Sequence, residues 1–137
     1  MKMEYSIEGG DFTKAGLASS AVKKVLKQLN IDPAQIKRIA VAMYEAEVNI
    51  VAHAYSGIMK VEIDAKKVYM RFVDKGPGIE NIDKAMEEGY STASEAVRQM
   101  GFGAGMGLPN IKKNVDEMKI SSEINKGTTL ELTTFLN

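Results

Sequence analysis

The sequence contains no cysteine and a single histidine. Without thiols there are no disulfides, no thiolate metal sites and no cysteine nucleophile. With one imidazole, a zinc site built on several histidines is excluded as well. An excess of charge of one sign is also missing. Lys plus Arg and Asp plus Glu number 18 each, so the net charge is zero, and nothing in the overall balance drives binding to nucleic acid or to a membrane surface. No apolar run approaches the ~18 residues of a membrane span, and the opening "MKMEYSIEGGDF" has no apolar signal-peptide stretch. These absences lead to the expectation of a cytoplasmic protein with no nucleic-acid and no membrane partner.

What is there has the balance of an ordinary globule: 137 residues, 45% hydrophobic and 26% charged. That size predicts one domain over 1–137 with one core. The nine methionines read as core filler rather than as a cofactor box. "MEYSIEGG" alternates and ends in a turn, which predicts a first strand. "DFTKAGLASSAVKKVLKQLN" spaces Leu17, Val22, Val25, Leu26 and Leu29 helically, with Asp11 or Thr13 as N-cap. A second helix should start at Asp32 and Pro33 and stop at Gly57. "IMKVEIDA" and "KVYMRFVD" alternate at period two and predict an antiparallel hairpin. From Gly76 to Gly107 the pattern breaks up, apart from a short helix around "NIDKAMEEG", and a lid over about 79–107 is expected. "LPNIKKNVDEM" returns to helical spacing, and "KISSEIN" and "TTLELTTFL" predict a closing hairpin around "KG". The fold class is therefore a two-layer α/β (α+β) sandwich, with a mixed, largely antiparallel sheet covered by helices.

Three places could carry chemistry. On the second helix Glu45 and Asn49 lie one turn apart, away from the apolar stripe of Ile36, Ile39, Ala40, Met43, Ile50 and Ala54. The pair reads either as a solvated face or as a carboxylate and an amide oxygen turned to a ligand. In the second case the amide suits Mg²⁺ and the carboxylate suits a proton. Glu47 falls near the apolar stripe, where it needs a partner such as a lysine or a rotated helix. Asp74 ends the strand Val68–Val73 ahead of Gly76, Gly78 and Ile79. It reads as a turn former, or as an acceptor-only group that favours adenine, whose amine donates. Gly101, Gly103, Gly105 and Gly107 precede a helix and read as a flexible loop or as an anion cradle. His53 reads as a structural histidine near a helix end.

In this order, "EAEVN", "DKGPG", "GFGAGMGL" and "GTT" resemble the ATP-binding (GHKL, Bergerat) fold shared by DNA gyrase, histidine kinases and MutL. Within that superfamily "DKGPGIENIDKAMEEGYST" and "GFGAGMGLPNIKKNVDEMKISSEINKGTT" look like a stressosome switch kinase. "EVNIVAHAYSG" looks more like a bacterial anti-sigma factor. The resemblance implies binding of ATP and ADP with Mg²⁺, and a serine/threonine kinase of a partner-switching system. It implies a STAS-domain anti-anti-sigma antagonist as acceptor and a sigma factor as a further partner. By the resemblance Glu45 is the general base and Asn49 holds Mg²⁺. Asp74 reads the adenine amine, with Thr128 supporting it through water. Gly76, Gly78 and Ile79 make room for the base, and Gly103, Gly105, Met106, Gly107 and Leu108 cradle phosphate. Arg98 and Lys75 are further cations near the phosphates that no motif supports. An ATP-dependent anti-sigma module that only binds stays open as an alternative, as do a free-standing histidine-kinase catalytic domain and the oligomeric state, a homodimer included.

Overall fold

Asp32 and Pro33 open the longest helix, as expected. The Asp32 carboxylate accepts a hydrogen bond from the Gln35 N–H at 3.4 Å, and Pro33 takes the first helical position. This helix, α2, runs Pro33–His53. Near its end Val48, Ile50 and Val51 are all buried. A β-branched residue costs a helix ~0.5 kcal/mol, whereas burying such a side chain contributes ~1.5–3 kcal/mol. Packing, not propensity, holds this end of the helix.

The computed structural model of the chain describes residues 1–87 and 107–137. The elements run β1 (Lys2–Glu8), a 3₁₀ turn (Phe12–Lys14), α1 (Leu17–Gln28), α2, β2 (Ser56–Ile63), β3 (Lys67–Lys75), α3 (Ile82–Ala85), α4 (Gly107–Lys113), β4 (Glu117–Glu123) and β5 (Gly127–Phe135). Most of the expected lid, residues 88–106, lies outside the described residues. The strands form one sheet in the order β1-β2-β3-β5-β4, and every neighbouring pair is antiparallel. The expected mixed sheet has no parallel pair among the described residues. Strand β5 enters between β3 and β4, so the closing hairpin attaches to the sheet through its second strand.

One sheet face carries Met59, Val61, Val68, Met70, Phe72, Leu130 and Leu132, all buried against the helices' Val22, Leu26, Ile39, Met43, Ile50 and Ile111. The other face is charged, with Glu4, Lys60, Arg71, Glu131 and Lys119 lying across it in register. Among the described residues no helix is long and apolar enough to cross a membrane.

Three boundaries differ from the sequence reading. Helix α1 starts at Leu17, not near Asp11. The Asp11 carboxylate instead accepts from the Thr13 hydroxyl at 2.7 Å within the 3₁₀ turn. Gly57 does not stop α2; it is buried within β2 opposite Asp74, and a Cβ there would come within 2.9 Å of the Ile50 side chain. Helix α4 ends at Lys113, and Glu117 and Met118 already belong to β4.

Candidate functional site

At about 100° per residue, Glu45 and Asn49 are offset by roughly 40° around α2 and separated by one turn. Both are half-buried, because α4 packs against this side of the helix. A Cβ on Gly107 would stand 2.8 Å from Asn49 Oδ1. Only glycine lets the backbone approach that amide so closely. The Asn110 side-chain amide donates to Glu45 Oε1 at 3.4 Å, the long limit for such a bond. Glu45 makes no other hydrogen bond or ion pair among the described residues. The pair is therefore not a solvated face. It is a carboxylate and an amide turned toward the start of α4 and only weakly engaged by the described residues.

Asp74 stands at the other end of this region, near the end of β3. Its Oδ1 accepts the Thr128 N–H at 3.1 Å, and its Oδ2 accepts nothing among the described residues. Burial pushes the Asp74 carboxyl above its ordinary value, and the Thr128 N–H pulls it partly back. The turn that follows Asp74 is fastened to the β4–β5 hairpin. Gly76 donates to the Lys126 carbonyl at 3.1 Å, and Asn125 donates to the Pro77 carbonyl at 2.9 Å. The Ile79 N–H donates to Ser122 Oγ at 2.7 Å. Gly78 bends this turn at φ +77°, directly over the Glu123 carbonyl, a conformation and approach that only glycine supplies without strain. The Asp74–Ile79 segment thus has a fixed shape, with one carboxylate oxygen uncommitted.

Glu47 has a different partner from the lysine considered above. It is 2% exposed. Its Oε2 accepts the N–H groups of Gly16 at 2.9 Å and Ala18 at 3.4 Å. Its Oε1 accepts the Ser19 N–H at 2.9 Å and the Ser19 hydroxyl at 2.5 Å. The Gly16 N-cap has no side chain to offer, so Glu47 caps α1 from a distance in sequence. At the end of α2, burial pushes the His53 imidazole below its ordinary value of 6.5.

The structure brings Glu45, Asn49, Gly107 and Leu108 together through the α2–α4 contact. It brings Asp74, Gly76, Gly78, Ile79 and Thr128 together through the hairpin. Gly103, Gly105, Met106 and Arg98 lie outside the described residues. Lys75 is exposed at the end of β3. Sequence reasoning passed over Ser122 and Asn110. The only sequence signal for Ser122 was its register, since it pairs across the hairpin with Thr128.

As a donor set, the first cluster offers one amide oxygen and one carboxylate, and Glu45 has no ion pair among the described residues. Among the described residues no three acidic or histidine side chains converge. A Mg²⁺ ion here would complete its shell with water and phosphate oxygens, the mixture this ion favours.

Comparison with known proteins places these features in context. Residues 11–134 match the model of a family described as the histidine kinase-like ATPase domain. The chain is 32% identical over 124 residues to a protein named anti-sigma F factor from Thermoanaerobacter sp. (strain X514), covering 87% of this chain and 83% of that one. It is 33% identical over 113 residues to the serine/threonine-protein kinase RsbT of Bacillus subtilis (strain 168), covering 80% and 79%. The fold is similar to that in the structure of the RsbU and RsbW domains of Rv1364c from Mycobacterium tuberculosis. The TM-score is 0.68 at 17% identity, over 99% of this chain and 32% of that one. It is also similar to a chain of the SiaB–SiaC complex from Pseudomonas aeruginosa, with a TM-score of 0.66 at 12% identity, over 96% and 88%.

Proposed function

The chain belongs to the histidine kinase-like ATPase domain family, and from that premise we propose that it is an ATP-dependent serine/threonine-protein kinase of a partner-switching system. Its acceptor is a serine or threonine of a STAS-domain antagonist protein. The whole of 1–137 acts as a single domain, with a lid over about 79–107. The observation that carries this reading is the meeting of Asn49 with Gly107. It sets an amide oxygen and the lightly held Glu45 carboxylate beside the end of the glycine run, where phosphate is expected.

In this reading Asp74 Oδ2 accepts from the adenine amine, and Thr128 supports it. Gly76, Gly78 and Ile79 shape the turn beside the base. Gly103, Gly105, Met106, Gly107 and Leu108 supply backbone N–H groups to the phosphates. Asn49 holds Mg²⁺, which when bound neutralises phosphate charge. Glu45 accepts the proton of the acceptor hydroxyl as that oxygen bonds to the γ-phosphorus and the bond to the β-phosphate oxygen breaks, leaving ADP. Few side chains are needed, because phosphoryl transfer rests mostly on positioning and charge neutralisation.

The test is transfer of label from radiolabelled ATP to candidate STAS-domain proteins. Label on a serine or threonine of one of them is the expected result. ATP binding with no transfer to any candidate would remove the kinase and leave a second reading. In that reading, which the relatives named anti-sigma F factor support, the chain captures a sigma factor in a nucleotide-dependent way. Co-purification with a sigma factor in ATP but not without nucleotide would identify it.

A further inference from the structure

Ser122 stands in β4 and has no role in the proposed reaction, yet its hydroxyl touches three parts of the base end of the site. Its Oγ accepts the Ile79 N–H at 2.7 Å, lies 3.1 Å from the Gly127 carbonyl oxygen and lies 2.8 Å from Thr128 Oγ1. A serine hydroxyl has one hydrogen to donate and two lone pairs. The Gly127 carbonyl can only accept. All three contacts are hydrogen bonds in one arrangement alone: Ser122 donates to Gly127, and Thr128 donates to Ser122. If Ser122 donated to Thr128 instead, two acceptors would face each other at Gly127.

That arrangement fixes what Thr128 can offer to a ligand. Its hydrogen is turned inward to Ser122, so its Oγ1 presents lone pairs only. Asp74 beside it, held by the Thr128 N–H at 3.1 Å, has an uncommitted Oδ2. The base end of the site is therefore lined by two acceptors, one from each strand. Such a pair matches a group that donates, as the exocyclic amine of adenine does directly or through a water. It mismatches a carbonyl at the same position.

We propose that Ser122 is a specificity-determining positioning residue. By taking the Thr128 hydrogen, it makes Thr128 an acceptor alongside Asp74 and so sets the preference for a 6-amino purine over a 6-oxo purine. The proposal rests on the reading of Asp74 as the base-recognising group. It adds to that reading a residue that touches neither base nor phosphate.

The experiment measures the affinities of the full chain for ADP and for inosine diphosphate, which differ at the 6-position of the base. Wild type should prefer ADP. Ser122→Ala releases the Thr128 hydrogen, which can then serve a carbonyl, and should narrow the ADP-to-IDP ratio about tenfold, the scale of one hydrogen bond. Ser122→Thr, which restores the hydroxyl, should restore the ratio. Thr128→Val should narrow it to the same degree, and adding Ser122→Ala to Thr128→Val should change it no further. Equal weakening of both nucleotides by Ser122→Ala would overturn the proposal, because it would mean that Ser122 only anchors the turn at Ile79. An unchanged ratio in Ser122→Ala, with a collapsed ratio in Asp74→Asn, would overturn the proposal while leaving the base pocket in place. An unchanged ratio in Asp74→Asn would overturn the reading of the pocket itself.

Discussion

Glu45 and Glu47 are the same residue type, two positions apart on one helix, and the fold treats them in opposite ways. Glu47 is buried and accepts four hydrogen bonds from the first turn of α1. Glu45 is half-buried and, among the described residues, accepts one long bond from Asn110. A carboxylate whose lone pairs are filled by the protein has nothing left for a ligand. One that is positioned but unfilled is available for chemistry. The difference is a matter of partners, and it is invisible in the helix sequence "YEAEVN".

The comparison can be broken by mutation. The largest effect is expected from Glu47→Ala, which leaves three N–H groups and a hydroxyl without their acceptor. A loss of about 3 kcal/mol or more is expected, seen as a lower urea midpoint. Glu45→Ala should do the reverse. Stability should stay within ~0.5 kcal/mol, ATP affinity should hold, and phosphoryl transfer should fall ~10²-fold or more in a single-turnover assay. If both variants lost the same property, the contrast between them would be wrong.

Thr134 sharpens the same point. Its Oγ1 is fully buried in β5 and has no hydrogen-bond partner among the described residues. It lacks partners, as Glu45 nearly does, but nothing can reach it. An unfilled polar group therefore marks a site only where a ligand has access. Thr134→Val keeps the shape and removes the stranded hydroxyl, so a gain of about 1 kcal/mol is expected, visible as a melting midpoint a few degrees higher.

The smallest effect concerns His53 on the same helix. Its folded pKa lies below the ordinary 6.5 because burial disfavours the imidazolium. The unfolded chain therefore binds the proton more readily. The stability this represents is present above about pH 6.5 and is lost as pH falls toward the folded value. Melting curves from pH 7.5 to 5 should show the decline, and His53→Gln should flatten it.

Much of the fold was legible in the sequence because its signals are local. Asp32 and Pro33 announce α2 within their own turn, and period-two runs announce both hairpins. The start of α1 is not legible because its cap is a glutamate 31 residues away in sequence, while the nearby Asp11 and Thr13 are attractive local candidates. Gly57 reads locally as a helix stop, although its reason for being glycine is the Ile50 side chain across the layer. The residues of the candidate site were legible as motifs. Their surroundings were not, because Ser122 and Asn110 are ordinary residue types whose importance lies in what they touch.

The position of β5 also governs how the chain can assemble. It follows both of its neighbours in the chain and lies between them in the sheet, pairing with β3 on one side and β4 on the other. In the finished sheet β5 fills the two strand spacings, roughly 10 Å, between β3 and β4, and β4 bonds to the sheet through β5 alone. Without β5, strand β3 has an open edge, and the hairpin that holds Asp74 and Ile79 does not exist. A nascent chain that has emerged only as far as β4 thus carries Glu45, Asn49 and Asp74 without the hairpin that fixes Asp74. On the proposed reading nucleotide capture waits for β5, and retention of the growing chain on immobilised ADP would report the moment at which β5 joins the sheet.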